Sequence, residues 1–194
     1  MKKGEKREDI MRAAMELIAE RGFHGSPMSE IAERAGVATG TIYHYFENRD
    51  VLINELHLSL EEKIQEMLRE GCSEEQSIRE RFLFLVWTVV RYFVANPLHY
   101  RYMEQYFNSP YGISRRRDKI LGEADSGDVV SKILSEGVKQ GIMKNLPEGV
   151  LFALTFGPLL VLMRDHVFGF ETLDEKMISR IAESCWDAVR SRYV

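Results

Sequence analysis

Residues 37–50 read VATGTIYHYFENRD, and their chemistry is that of hydrogen-bond donors crowded into a very short segment. Thr39, Thr41 and Tyr43 bring hydroxyls, and His44 brings a ring N–H. Such groups, carried on one side of a helix, can reach phosphate oxygens and the edges of bases. Gly40 has no side chain to hold a duplex away from the backbone. Arg49, just beyond, and Lys6 in an N-terminal arm that also holds Lys2, Lys3 and Arg7, can supply phosphate-seeking charge. The reading is a nucleic-acid contact surface.

The elements needed to hold these groups follow from hydrophobic spacing. Ile10, Ala13, Ala14, Leu17 and Ile18 fall at i, i+3, i+4, i+7 and i+8, which predicts a helix over about 6–21, closed by Gly22 in a left-handed C-terminal position. Ser26-Pro27 predicts a hydroxyl cap followed by proline at the first helical position, opening a short helix over 27–35. Gly36, Val37 and Ala38 make a tight turn into a third helix from Thr39 to Phe46. Two short helices joined by a three-residue turn containing glycine form a helix-turn-helix, whose second helix enters the major groove. On that third helix Ile42 and Phe46 lie one turn apart and face Ile31 and Ala35, which leaves Thr39, Gly40, Thr41, Tyr43 and His44 outside. A two-turn helix is not stable alone in water, so this apolar pair is what keeps it folded. Asn48 caps a fourth helix running to about 69. Further helices are expected over 75–95, 97–107, 115–123, 127–140, 147–168 and 173–191, with no two-residue alternation anywhere. The fold class is all-α.

Other chemistries find no support in the residue spacing. The three-residue offsets before His24, His44, His57, His99 and His166 hold Arg21, Thr41, Asn54, Asn96 and Met163, so the Glu-x-x-His pairs of a di-iron bundle are missing. GxSxG and the GxxxxGK[ST] phosphate loop are absent, as is any Cys/His ligand spacing around the two cysteines, Cys72 and Cys185. No enzyme, metal or cofactor is expected. The thiols, with no secretory segment at the N-terminus, place the chain in a reducing cytoplasm. The longest apolar run, residues 150–163, is interrupted by Gly157 and Pro158 and falls short of the roughly 18–20 apolar residues of a spanning helix. A net charge of −4 excludes a protein that coats nucleic acid with its whole surface. Residues 1–50 hold eight basic and nine acidic side chains, which predicts weak nonspecific binding and keeps open a plain aromatic-cored helical hairpin over 27–46.

Residues 10–56, IMRAAMELIAERGFHGSPMSEIAERAGVATGTIYHYFENRDVLINEL, resemble the DNA-binding domain of TetR-family transcriptional regulators, whose hallmark runs IA..AGVS.GT.Y.YF..K..L. The resemblance implies that Thr39, Gly40 and Thr41 begin the recognition helix and that Tyr43 and His44 touch backbone and bases. It puts Arg49 where a lysine commonly binds phosphate. Two positions depart from the pattern: Ala38 stands where many members have a capping serine, so the third helix either loses that cap or uses Thr39 instead, and Pro27 replaces a common threonine. The family layout also implies a reader over 1–48 and a helical ligand-binding and dimerisation domain over 49–194, about nine helices in all.

A helix this short reads too few base pairs for useful specificity, so a homodimer reading half-sites about 34 Å or a multiple apart is expected. Leu151, Leu154 and Leu162 on one late helix, and Ile178, Ile181, Ala182, Cys185 and Val189 on the next, form stripes suited to a four-helix bundle across a twofold axis. The resemblance implies the same interface, together with an apolar cavity for an unidentified small-molecule effector; the residues assigned to it are Trp87, Arg91, Tyr102, Tyr106 and Phe156. Arg91 has the alternative of a surface ion pair, and Arg115-Arg116-Arg117 reads as a solvated helix start. The functional expectation is a repressor holding double-stranded operator DNA until the effector releases it, with repression resting on the resemblance alone. The alternative is a helical protein-interaction adaptor without sequence-specific DNA binding.

Overall fold

The computed structural model describes residues 3–120 and 128–191. Lys2, the side chain of Lys3, and the expected helix end and start at 123 and 127 lie outside the described residues. Ten helices run along the described chain: α1 Lys3–Arg21, α2 Met28–Arg34, α3 Thr39–Tyr45, α4 Arg49–Gly71, α5 Ile78–Ala95, α6 Pro97–Phe107, α7 Pro110–Ile120, α8 Val129–Lys139, α9 Glu148–Val167 and α10 Glu175–Val189. The one extended pairing is an isolated antiparallel bridge between Met143 and Arg190 among these residues.

Two compact units divide the chain. The first holds Met1–Glu62 and Leu98–Ser114, and the second Lys63–Pro97 and Arg115–Val194. The first unit is therefore larger than the 1–48 reader, since it takes in the start of α4, all but the first residue of α6 and the start of α7. Its core joins Ile10, Leu17 and Ile18 of α1 to Ile31 and Ala32 of α2, Ile42 of α3, Leu52, Ile53, Leu56 and Leu60 of α4, and Tyr100, Tyr102 and Tyr106 of α6. In the second unit α5 lies against α8, α9 and α10. Phe82 of α5 meets Trp186 of α10 with ring centroids 5.3 Å apart, inside a core that includes Leu85, Val86, Ile133, Leu151, Leu159 and Met163.

Several helix boundaries differ from expectation for reasons of local hydrogen bonding. Ser26 is fully buried, and its hydroxyl donates back to the Gly22 carbonyl at 2.8 Å rather than capping α2. Pro27 itself stands at the cap, and its carbonyl accepts from Glu30 and Ile31 N–H. The next Ser-Pro pair does what the first was expected to do: Ser109 accepts from Gly112 N–H at 3.3 Å, Pro110 follows, and α7 begins five residues before the expected 115. α5 begins at Ile78 rather than 75 because Ser77 and Glu80 form a reciprocal capping box. α9 at 20 residues is long and apolar enough, by length and composition, to cross a membrane, which exceeds the 150–163 run. Here it runs through Pro158 and buries Leu151, Thr155, Leu159 and Met163 within the second unit.

Candidate nucleic-acid interface

The turn that presents α3 is closed by backbone hydrogen bonds alone. Gly36 takes φ +66°, its N–H donates to Glu33 O at 3.1 Å, and Val37 N–H reaches back to Ala32 O at 3.0 Å. This paired pattern is the Schellman motif, which needs a residue at ease in the left-handed region. At the other side of the turn Ala38 offers no side chain to the first N–H groups of α3, and Thr39 does not replace it. What holds the seven-residue helix is packing: Ile42 and Phe46 are buried to 0% and 1% exposure, with Ile31 buried on α2 and Ala35 only partly so.

The opposite face is free. Thr39, Gly40, Tyr43 and His44 are exposed and Thr41 is half-buried. Tyr43 exposes 53% of its surface, a large fraction for an aromatic ring. A Cβ added at Gly40 would meet nothing within 4 Å, so the backbone there is open to close approach. His44 leans edge-on against Tyr45 at 5.5 Å, which fixes its ring beside the helix end. The face so formed is a row of hydroxyls, one imidazole and one bare stretch of backbone, suited to contacts with phosphates and base edges.

The surrounding arginines are mostly occupied. Arg7 pairs with Glu55 and lies over the Phe46 ring, Arg12 pairs with Asp9, and Arg21 pairs with Glu30 at 2.5 Å. Arg34 pairs with Glu20 at 2.8 Å, a contact that holds the Glu20 carboxyl below its ordinary range and raises Arg34. Arg49 is half-buried, donates to the carbonyl of Phe23, and has a buried Nε with no partner. Lys6, half-buried, makes no ion pair among the described residues. The arrangement leaves hydroxyls, backbone and Lys6 as the groups best placed for a duplex.

The residues expected to hold an effector fall into both compact units. Tyr102 and Tyr106 are buried in the first, where Tyr102 donates to Ile53 O at 3.3 Å and Tyr106 stacks on His57 at 3.7 Å. Burial in the α4–α6 core pushes the Tyr102 hydroxyl strongly up. Trp87, Arg91 and Phe156 belong to the second, where the Arg91 guanidinium sits 4.5 Å from the Trp87 ring and pairs with Glu175 at 3.0 Å. Phe156 packs on Phe152 at 4.6 Å. None of the three lines either of two cavities in that unit. One, about 430 Å³, is polar and includes Arg81 and Glu136, and the other, about 250 Å³, lies between α9 and α10.

That second cavity is an open apolar groove, and it divides the residues of the expected dimer stripe. Leu151, Ile178, Cys185 and Val189 are packed inside the second unit and expose little surface. Leu154, Pro158, Leu162, Ile181 and Ala188 line the groove together with the edge of Cys185, and Val150 and Val161 of α9 are also exposed. The stripe read from the sequence mixed the inner and outer sides of α9, whose apolar residues run nearly all round, with the buried face of the amphipathic α10.

Comparison with known proteins follows this geometry. The profile described as "Bacterial regulatory proteins, tetR family" matches residues 10–56, and that described as "Tetracyclin repressor-like, C-terminal domain" matches residues 77–190. An uncharacterised HTH-type transcriptional regulator from Haemophilus influenzae is 25% identical over 184 residues, covering 94% of this chain and 95% of that protein. The fatty acid metabolism regulator protein of Bacillus subtilis is 38% identical over 77 residues, a match spanning 40% of each protein. Among solved structures, a TetR-family regulator from Marinobacter aquaeolei superposes with a TM-score of 0.83 at 22% identity over 97% of both chains. One from Vibrio parahaemolyticus gives 0.74 at 28% identity over 96% of this chain and 99% of that one. With an all-helical fold, a helix-turn-helix whose second helix turns its polar face outward, and a C-terminal profile covering more than half its length, the chain belongs to the TetR family of bacterial transcriptional regulators.

Proposed function

We propose that this protein is a homodimeric, sequence-specific repressor that holds a near-palindromic operator and is released by a small-molecule effector bound in its C-terminal region. The observation that carries the reading is the division of α3: Ile42 and Phe46 inside, Thr39, Gly40, Tyr43 and His44 exposed, with Thr41 half-buried between them. A helix serving only as packing would gain nothing from exposing a tyrosine beside two threonines and a histidine. The DNA contacts proposed are Thr39, Gly40, Thr41, Tyr43, His44 and Lys6, with Arg49 taken up below. The groove of Leu154, Pro158, Leu162, Ile181 and Ala188 is the proposed seat of a second copy, because a single seven-residue helix needs a twofold partner to read enough sequence. The effector is proposed to meet Trp87, Arg91 and Phe156 in the second unit, whereas Tyr102 and Tyr106 serve the core of the first. Linkage then requires operator DNA to weaken effector binding by the same factor as the effector weakens operator binding.

Sedimentation equilibrium tests the assembly on which the reading depends. The purified chain is expected to run as a dimer. Leu162→Glu, which puts a charge into the groove without touching the buried side of α9, is expected to give a folded monomer that no longer binds operator. A Leu162→Glu protein that remained dimeric, or a monomer that kept full operator affinity, would contradict it.

A further inference from the structure

Arg49 and Asp50 open α4, only three residues separating Arg49 from the end of α3 at Tyr45, so whatever fixes the first turn of α4 also fixes the reading helix. Both side chains are committed inside the first compact unit. The Arg49 guanidinium donates through Nη2 to the carbonyl of Phe23, in the turn between α1 and α2, and its Nε is buried without a partner. Two of its three nitrogens are thereby withdrawn from the surface that faces a duplex. Asp50 accepts from the Tyr111 hydroxyl at 2.5 Å, at the start of α7. The Phe23 ring closes the loop: its centroid lies 5.4 Å from that of Tyr111 and 6.5 Å from that of Tyr102. Four residues from three chain segments thus form one ring of contacts, made of a charged donor on a main-chain carbonyl, a charged acceptor and a tilted aromatic pair.

We propose that Arg49 and Tyr111 are positioning residues, a latch that sets the pitch of the reading helix through Phe23 and Asp50, and that Arg49 is not the phosphate ligand its place in the sequence implies. The proposal rests on the DNA-reading function above and refines one residue of that site. The two roles make different predictions for salt dependence. A cation that neutralises a phosphate releases a counterion, and removing it lowers the slope of log affinity against log salt by about 0.9 per contact. A residue that only orients the helix changes affinity and leaves that slope alone. Charge-assisted hydrogen bonds are worth enough for loss of the latch to be read easily in affinity.

The test uses the full-length protein, its selected operator duplex, and Arg49→Gln, Tyr111→Phe and the double variant, each titrated over a salt series. Tyr111→Phe keeps the ring on Phe23 and removes only the hydroxyl, so the fold is retained, which thermal melting checks. Each single variant is expected to weaken operator binding by about tenfold with an unchanged salt slope, and the double variant to be little weaker than either, because both break the same ring. A slope lowered by about 1.8 per dimer in Arg49→Gln would make Arg49 a phosphate ligand and overturn the proposal. Unchanged affinity in Tyr111→Phe, or strictly additive losses, would overturn it as well. A wild type that selects no sequence would instead fail the DNA-reading function, and melting would then judge the latch alone: coupled losses of stability in the two singles support it, additive ones overturn it.

Discussion

Tyr43 and Ile42 are neighbours in the chain and opposites in environment, and the same contrast separates the two thiols. Cys185 is buried and its Sγ donates to Thr155 O at 3.6 Å; burial pushes this thiol up to about 11. Cys72, half-exposed, is raised by partial burial in spite of the nearby Arg81 charge. An acid raised on folding stabilises the protein while it stays protonated. That stability is complete below the ordinary thiol value near 9 and is lost as pH climbs through about 11. At pH 8 an alkylating reagent is therefore expected to modify Cys72 first and Cys185 only on unfolding, read by mass spectrometry over time. Equal rates for the two thiols would contradict the burial account. The outward face of α3 was largely legible at this scale, because Ile42 and Phe46 one turn apart force their neighbours outward. Arg49 was not, since its partner is a main-chain carbonyl 26 residues earlier, and no side-chain pattern announces a carbonyl.

The helices themselves show where local rules suffice and where packing overrides them. Gly22 and Gly36 were readable as helix stops and both adopt positive φ, and Asn48 caps α4 through its side-chain oxygen on Val51 N–H at 2.9 Å. The two Ser-Pro pairs carry one signal with two outcomes. Both serines are buried and both hydroxyls donate to a preceding carbonyl, Ser26 to Gly22 and Ser109 to Tyr106, but only Ser109 also accepts from a helix N–H, that of Gly112. Ala38 leaves α3 uncapped, which makes a cap there an available gain. Ala38→Ser is expected to stabilise the protein by about 1 kcal/mol, raising Tm by roughly 2–4 °C for a chain of this size. No change in Tm, or a fall, would mean that the first N–H groups of α3 are already satisfied by other means.

At the scale of the whole molecule, the sequence announced an all-helical chain, while the expected late-helix partner surface came without saying which side of those helices a partner would meet. α9 is apolar on nearly every side, so its periodicity could not separate Leu151 and Leu159 in the core from Leu154 and Leu162 in the groove. The effector residues were harder still, because an aromatic in a helical stripe packs in a core and lines a cavity with equal ease. Tyr102 and Tyr106 show the first outcome within their own unit. The claim on which the account stands is that a dimer reads DNA through the outward face of α3. Selection of binding sites from a random duplex library at about 150 mM salt, with wild type beside Tyr43→Ala, tests it most directly. The account predicts that wild type enriches an inverted repeat with half-sites about one helical turn or a multiple apart, and that folded, dimeric Tyr43→Ala enriches none. Enrichment of the same repeat by both proteins, or of no repeat by a folded wild-type dimer, would contradict it.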